Sequence, residues 1–364
     1  MLSINVFCEC RDRKGVQTMN QVGKSVLLVA GVAALLSTLI AAGPAMASVA
    51  ALVNQVGYDT KAPKVVRVQS DTELGGAAGT LAVSDPGGKT DFSGALESSG
   101  PLWGKFYWKG DFTALETSGR YSIRVSVGGQ TDTSFPFIIE PNILFRATGD
   151  LAVKFFSIQR CGTTVPGWHG LCHMDDCKRL DGTHGDHTGG WHDAGDYGKF
   201  PAGFHPPATF ALLYAYEERA DEWDAPAYDT RFPNGVPDII DEAIWGLDFE
   251  RKCVAADGHV FARTVRHKSG SSFVAPEVDT DNKIGTSDDR TIEDDPAPNG
   301  RGVLVAGSLA KLWWLSKNRL HGVAPRDEDI ALAERIWDYY WSIGPSGHPY
   351  GDGMAQVFSA MELY

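Results

Sequence analysis

The chain has 364 residues, 43% of them hydrophobic, with 46 Asp and Glu against 33 Lys and Arg, a formal charge of −13 at pH 7. That composition is ordinary for a globular protein, and the length allows two domains with cores of their own. A net negative chain repels phosphate backbones, which argues against nucleic acid as a partner and leaves neutral polymers open.

A leader comes first. Arg11, Arg13, Lys14 and Lys24 precede an uncharged run of 18 residues, Ser25 to Ala42, and Gly43-Pro44 then breaks any helix. Ala45-Met46-Ala47 places small residues where a signal peptidase cuts. Residues 1–47 are therefore expected to be a leader and secretory signal peptide. The product would be secreted, extracellular or periplasmic, with no stable membrane association after cleavage. Met19 is the alternative start, and a retained anchor is the rival reading, because such a run reaches the lower limit for spanning a bilayer. Cleavage would remove four basic and two acidic side chains and take the charge from −13 to −15.

Residues 48–140 alternate short apolar runs with turn residues. Leu52-Val53-Asn54-Gln55-Val56-Gly57-Tyr58, Lys64-Val65-Val66-Arg67-Val68, Tyr121-Ser122-Ile123-Arg124-Val125 and Phe135-Pro136-Phe137-Ile138-Ile139 are the clearest, punctuated by Asp85-Pro86-Gly87-Gly88 and Gly128-Gly129. Short strands at this spacing predict a β-sandwich. Nothing here offers catalytic chemistry, so its expected role is to brace the second domain.

From Pro141-Asn142 the period becomes helical. Leu144, Leu151, Phe155 and Phe156 form a stripe ending near Cys161. A second helix is predicted from Pro237-Asp238 to Cys253, two more over Gly300–Lys317 and Asp327–Trp341, and another from Gly351 to Tyr364. Long helices joined by Gly- and Pro-containing loops predict a helical barrel or toroid over residues 141–364. The aromatic residues Trp313, Trp314, Trp337, Tyr339, Tyr340 and Trp341 are expected in the core, with a sugar cleft as the alternative.

Two clusters in this half carry chemistry. Cys161, Cys172, His173 and His192 supply two thiolates and two imidazoles, the set that a closed tetrahedral zinc site takes. The rival is a disulfide, Cys161–Cys172 or Cys172–Cys177, with Cys177 close enough to serve either role. Directly after His192, the string Gly189-Gly190-Trp191-His192-Asp193-Ala194-Gly195-Asp196-Tyr197-Gly198-Lys199-Phe200 puts Asp193 and Asp196 three apart in a turn. A carboxylate oriented by a neighbouring carboxylate makes a competent general base, and Trp191 and Tyr197 offer flat faces for sugar stacking. His184 and His187 are expected in a loop near that cleft. The acidic run Asp279, Asp281, Asp288, Asp289, Glu293, Asp294 and Asp295 begins like an oxygen-rich calcium loop but lacks EF-hand spacing, so a solvated loop is the expected reading.

The twelve-residue string resembles the signature of the family 9 glycoside hydrolases, the endoglucanase-rich cellulase family. The Leu52–Tyr58 stretch, Gly110-Asp111-Phe112 and Ser118-Gly119-Arg120-Tyr121 resemble the immunoglobulin-like domain that precedes many family 9 catalytic domains. Asn234-Gly235-Val236-Pro237-Asp238-Ile239-Ile240-Asp241-Glu242-Ala243 matches a further family stretch. The resemblance implies an immunoglobulin-like β-sandwich followed by an all-α (α/α)6 barrel, the barrel incomplete in this chain. It implies a structural zinc on Cys161, Cys172, His173 and His192, possible calcium binding, and a β-1,4-glucan substrate cut with inversion. By motif position it makes Asp196 the water-activating base and Asp193 its helper. The family's general acid is a glutamate far downstream; Glu362 sits in a mid-domain helix and is not assigned that role, so the chain alone is expected to be inactive. An exo-acting β-glucosidase, cellodextrinase or exo-β-glucosaminidase, or a non-catalytic carbohydrate-binding protein, are the alternatives.

Overall fold

A computed structural model of the chain describes residues 48–74, 78–195, 197–265, 274–293, 300–344 and 352–363. The expected leader and Asp196 lie outside the described residues.

Eight strands come first: β1 (Val49–Leu52), β2 (Val65–Ser70), β3 (Gly79–Ser84), β4 (Thr90–Leu102), β5 (Lys105–Asp111), β6 (Gly119–Val127), β7 (Gln130–Thr133) and β8 (Phe137–Ile139). They join in one antiparallel path, β1-β2-β5-β4-β3-β6-β7, with β8 on β6. The expected two sheets are thus one continuous path, and β4 is the reason. Its first half, Thr90 to Leu96, pairs with β3, and its second half, Leu96 to Leu102, pairs with β5. A strand of 13 residues is long enough to pass from one layer to the other. β6 shows the alternation that fills the space between: Tyr121, Ile123, Val125 and Val127 are buried, Arg124 is exposed, and Ser122 and Ser126 are half-buried. Each such buried apolar side chain contributes roughly 1.5–3 kcal/mol.

The segment Gly57–Asp59 ties this sandwich to the helices. Gly57 has φ 127°, and a Cβ there would sit 2.6 Å from the Ile138 carbonyl oxygen, so only glycine fits. Asp59 Oδ1 then accepts from Ile143 N at 3.1 Å and caps the start of α1 (Ile143–Ile158). The other helices are α2 (His205–Glu218), α3 (Ala220–Trp223), α4 (Asp238–Lys252), α5 (Pro276–Asp279), α6 (Val303–Asn318), α7 (Asp327–Ile343) and α8 (Asp352–Leu363), with a small ribbon of β9 (Arg263–Val265) and β10 (Thr291–Glu293). α6 is buried nearly all round, packed by α2, α4, α7 and α8. α1 packs on α4, and α3 on α2.

The predicted stripe of α1 divides. Of its four residues Phe156 packs on the core, while Leu144, Leu151 and Phe155 are exposed; Phe145, outside the predicted stripe, packs on the core too. Of the aromatics expected in the core, Tyr340 is buried and Trp337 and Tyr339 pack against it, but Trp314 and Trp341 are exposed.

Candidate functional site

Between α1 and α2 lies an irregular segment, residues 159–204, that carries most of the chemistry. It is stitched to the end of α1: Cys161 N donates to Gly190 O at 2.8 Å and His192 N to Gln159 O at 2.8 Å. α4 holds the same point from the other side. The buried Glu242 carboxylate accepts from Arg160 Nε at 3.1 and 3.2 Å and from Trp191 Nε1 at 3.2 Å. Gly190 has φ 69°, and a Cβ there would meet Phe249 at 2.7 Å. Gly190 is therefore a steric requirement of this packing, and Gly189 is favoured by its φ of 96°.

The turn itself closes through Asp193 N to Gly198 O at 3.0 Å and Tyr197 N to Ala194 O at 2.9 Å. Asp193 is exposed and lines a cavity of about 170 Å³ with Phe155, Gln159, His192 and Phe204. Phe155 and Phe204 are 58% and 54% exposed, so apolar faces flank the carboxylate.

Trp191 also lines this cavity but is not an exposed face. It is only 4% exposed, stacks on His205 with ring centroids 5.6 Å apart, and donates its backbone N–H to His205 Nε2 at 3.0 Å. Burial pushes His205 down to about 3, which keeps the ring neutral and an acceptor. Tyr197 is half-buried, its ring against His192 at 4.8 Å and its hydroxyl donating to Val274 O. Of the two rings expected as stacking faces, Trp191 is thus buried and Tyr197 half-buried, while Phe155 and Phe204 are the exposed rings at the cavity. His187, expected in a loop near the cleft, is fully buried, with Nδ1 3.4 Å from Cys253 Sγ. His184 Nε2 contacts the Asp175 carbonyl at 2.8 Å.

Cys161, Cys172, His173 and His192 do come together. All four are buried, and one ligand atom from each lies within 4.8 Å of all the others. Cys172 Sγ is 3.6 Å from His192 Nε2. Both ring nitrogens of His173 are buried without a hydrogen bond, although Asp279 Oδ2 stands 3.5 Å from Nε2. Buried imidazole nitrogens are rarely left unpartnered, and a tetrahedral cation would satisfy one here. Burial alone would raise the Cys161 thiol, yet its contact with Cys172, the Lys199 charge and the imidazoles bring it well below the usual range. The residues fit zinc. The disulfide alternatives are not formed, since Cys161, Cys172, Cys177 and Cys253 are free, and Cys177 Sγ lies instead 3.8 Å from Thr264 Oγ1.

The acidic run splits up. Asp281 and Asp288 meet Asp175, with one carboxylate oxygen of each within 4.8 Å of the others. Thr280 Oγ1 donates to Asp175 at 2.9 Å. Asp289 is buried and accepts from Gly285 N at 2.7 Å, and Glu293 pairs with Arg263 at 2.9 Å. Asp294 and Asp295 lie outside the described residues. Glu362 pairs with Lys311 at 2.9 Å.

A family model described as glycosyl hydrolase family 9 matches residues 145–304, from α1 through the turn into α6. That stretch of the chain is a glycosyl hydrolase family 9 region. Ahead of this family 9 region, residues 47–130 match the cellulase N-terminal ig-like domain. Among curated relatives, a cellodextrinase of Butyrivibrio fibrisolvens is 31% identical over 63% of this chain and 42% of its own length. Endoglucanase D of Acetivibrio thermocellus is 30% identical over 48% of this chain and 29% of its own. The chain thus spans less than half of either relative. A metagenome-derived family 9 endoglucanase structure superposes with a TM-score of 0.68 at 27% identity, covering 86% of this chain and 61% of that one.

Proposed function

We propose that the protein is a secreted, inverting glycoside hydrolase acting on β-1,4-glucan, with endo action. The observation that carries the reading is the exposed Asp193, set in a cavity between two exposed aromatic rings on a turn fixed by the Cys/His cluster. In this reading residues 1–47 are the signal, 48–140 the immunoglobulin-like sandwich and 141–364 the first part of an (α/α)6 barrel.

Inversion requires a water between base and anomeric carbon, with base and acid roughly 6.5–9.5 Å apart. Asp196 removes the proton from that water, and Asp193, three residues earlier, orients it. The acid is a glutamate in the part of the family 9 relatives that this chain does not span. Cys161, Cys172, His173 and His192 would hold a structural zinc: four protein ligands would leave no position for water, and the site would pin the turn. Calcium at Asp175, Asp281 and Asp288 would tie the acidic run to the loop after His173.

The Butyrivibrio relative's name favours a second reading, exo action on cellodextrins. Digestion of cellohexaose and of chitosan oligomers by the whole protein separates the two. Endo action yields mixed internal fragments of cellohexaose; release of single end units makes the enzyme exo, and cleavage of neither substrate sinks the glycosidase reading.

A further inference from the structure

Behind the turn lies a buried charge cluster built from three separate stretches of chain. Arg290 comes from the approach to β10, Asp176 from the loop after His173, and Lys199 from the far end of the turn. All three are buried. Arg290 Nε donates to Asp176 Oδ1 at 2.8 Å, and its Nη2 donates to Asp176 Oδ2. Lys199 Nζ is 2.6 Å from the same Oδ2 and donates to the His187 and Gly189 carbonyls at 2.8 and 3.1 Å. The remaining guanidinium arm does something an ion pair alone does not require. Arg290 Nη1 donates to Tyr197 O, while Nη2 stands 3.7 Å from Cys161 Sγ.

Tyr197 has φ 56°, a left-handed conformation that a large side chain adopts only when its surroundings impose it. Its ring packs on His192 and His173, and its carbonyl is held by Arg290. Burying two cations and a carboxylate is a poor way to gain stability, because desolvation offsets most of the attraction. A rigid planar fork, however, is well suited to fixing a carboxylate and a carbonyl at once.

We propose that Arg290 is a positioning residue for the carboxylate turn: it fixes the Tyr197 carbonyl, and with it the Tyr197–Gly198 peptide, next to the Gly198 carbonyl that accepts from Asp193 N, in the orientation that water activation needs. This role rests on the protein being a glycosidase. Asp176 and Lys199 hold Arg290 in turn, so a residue more than ninety positions from the turn sets its geometry.

Three variants of the whole protein test it. Arg290→Met removes the donor. Asp176→Asn/Arg290→Met removes it without stranding a buried carboxylate, and Arg290→Lys retains charge but loses the fork. The double variant is expected to keep its zinc content and to fold, yet to lose about a hundred-fold in kcat, the effect of a 1 Å misplacement, with KM within about three-fold of wild type. Arg290→Lys recovers part of the loss. Hydrogen exchange gives a readout independent of catalysis: amides across 193–199 should exchange about ten-fold faster or more, with sandwich amides unchanged. Full kcat in the double variant, or unchanged exchange across 193–199, overturns the proposal. Should the double variant not fold, Arg290→Lys carries both readouts with smaller changes. A wild type without glycosidase activity defeats the parent reading, and the exchange data still decide whether Arg290 holds the turn.

Discussion

The four Cys and His residues were expected together and do come together, and Asp193 is exposed at a cavity. Neither the bare acid pair nor the irregular Cys/His spacing is specific by itself; the family resemblance of the surrounding string is what singled them out. What the sequence did not reveal is which side of the backbone each neighbour faces. Trp191 and Tyr197 flank the acids in the chain, yet the turn sends Trp191 into the core against His205 and lays Tyr197 over His192. Arg290 and Asp176 were missed for a related reason, since no local pattern joins residues 114 apart. Two predictions belong at this scale. Cys172→Ser removes one of four ligands, so the purified protein should carry much less than one zinc per chain and melt lower; metal analysis with a thermal scan checks this, and full zinc content would disprove the ligand set. Asp193→Asn should lower kcat on soluble glucan about 10²–10⁴-fold while leaving the melting temperature near that of wild type, because the side chain is exposed and its loss touches general-base chemistry rather than packing.

At the scale of elements, period and punctuation located α1, α4, α6, α7 and α8 to within a few residues. α2 went unread: it has little amphipathic asymmetry, and Pro206-Pro207 at its first turn was the signal available. α4 carries a testable burden. Glu250 is fully buried, with Thr209 Oγ1 donating to Oε1 at 2.8 Å and Oε2 unpartnered, and burial pushes it up to about 8 from 4.5. The folded state therefore keeps a proton that the unfolded chain has lost. This group's contribution is fully present below pH 4.5 and is lost as pH rises towards 8. Glu250→Gln cannot titrate, so its melting temperature relative to wild type should climb steadily from pH 5 to pH 8. A difference that stays constant across that range would show that Glu250 ionises freely in the fold.

For the whole molecule, the sandwich-then-helices order was readable because the period changes from two to 3.6 at Pro141-Asn142, but the closure of the helical region was not. Periodicity marks a face as apolar without saying what covers it. Leu144, Leu151 and Phe155 on α1, Tyr214 on α2, and Met354, Val357, Phe358 and Met361 on α8 are exposed. Apolar surface of that extent is uncommon on a self-sufficient domain. The chain should therefore bind a hydrophobic dye strongly, and weak binding would show that these faces are covered. The central claim is that the zinc-held turn presents the carboxylate that activates water. β-Cellobiosyl fluoride tests it most directly, because fluoride leaves with little help from an acid and the rate then reports the base. Wild-type whole protein should release fluoride with α-cellobiose as the first product, and Asp196→Ala should lose at least about a hundred-fold of that rate. Equal rates from the two proteins would contradict the account.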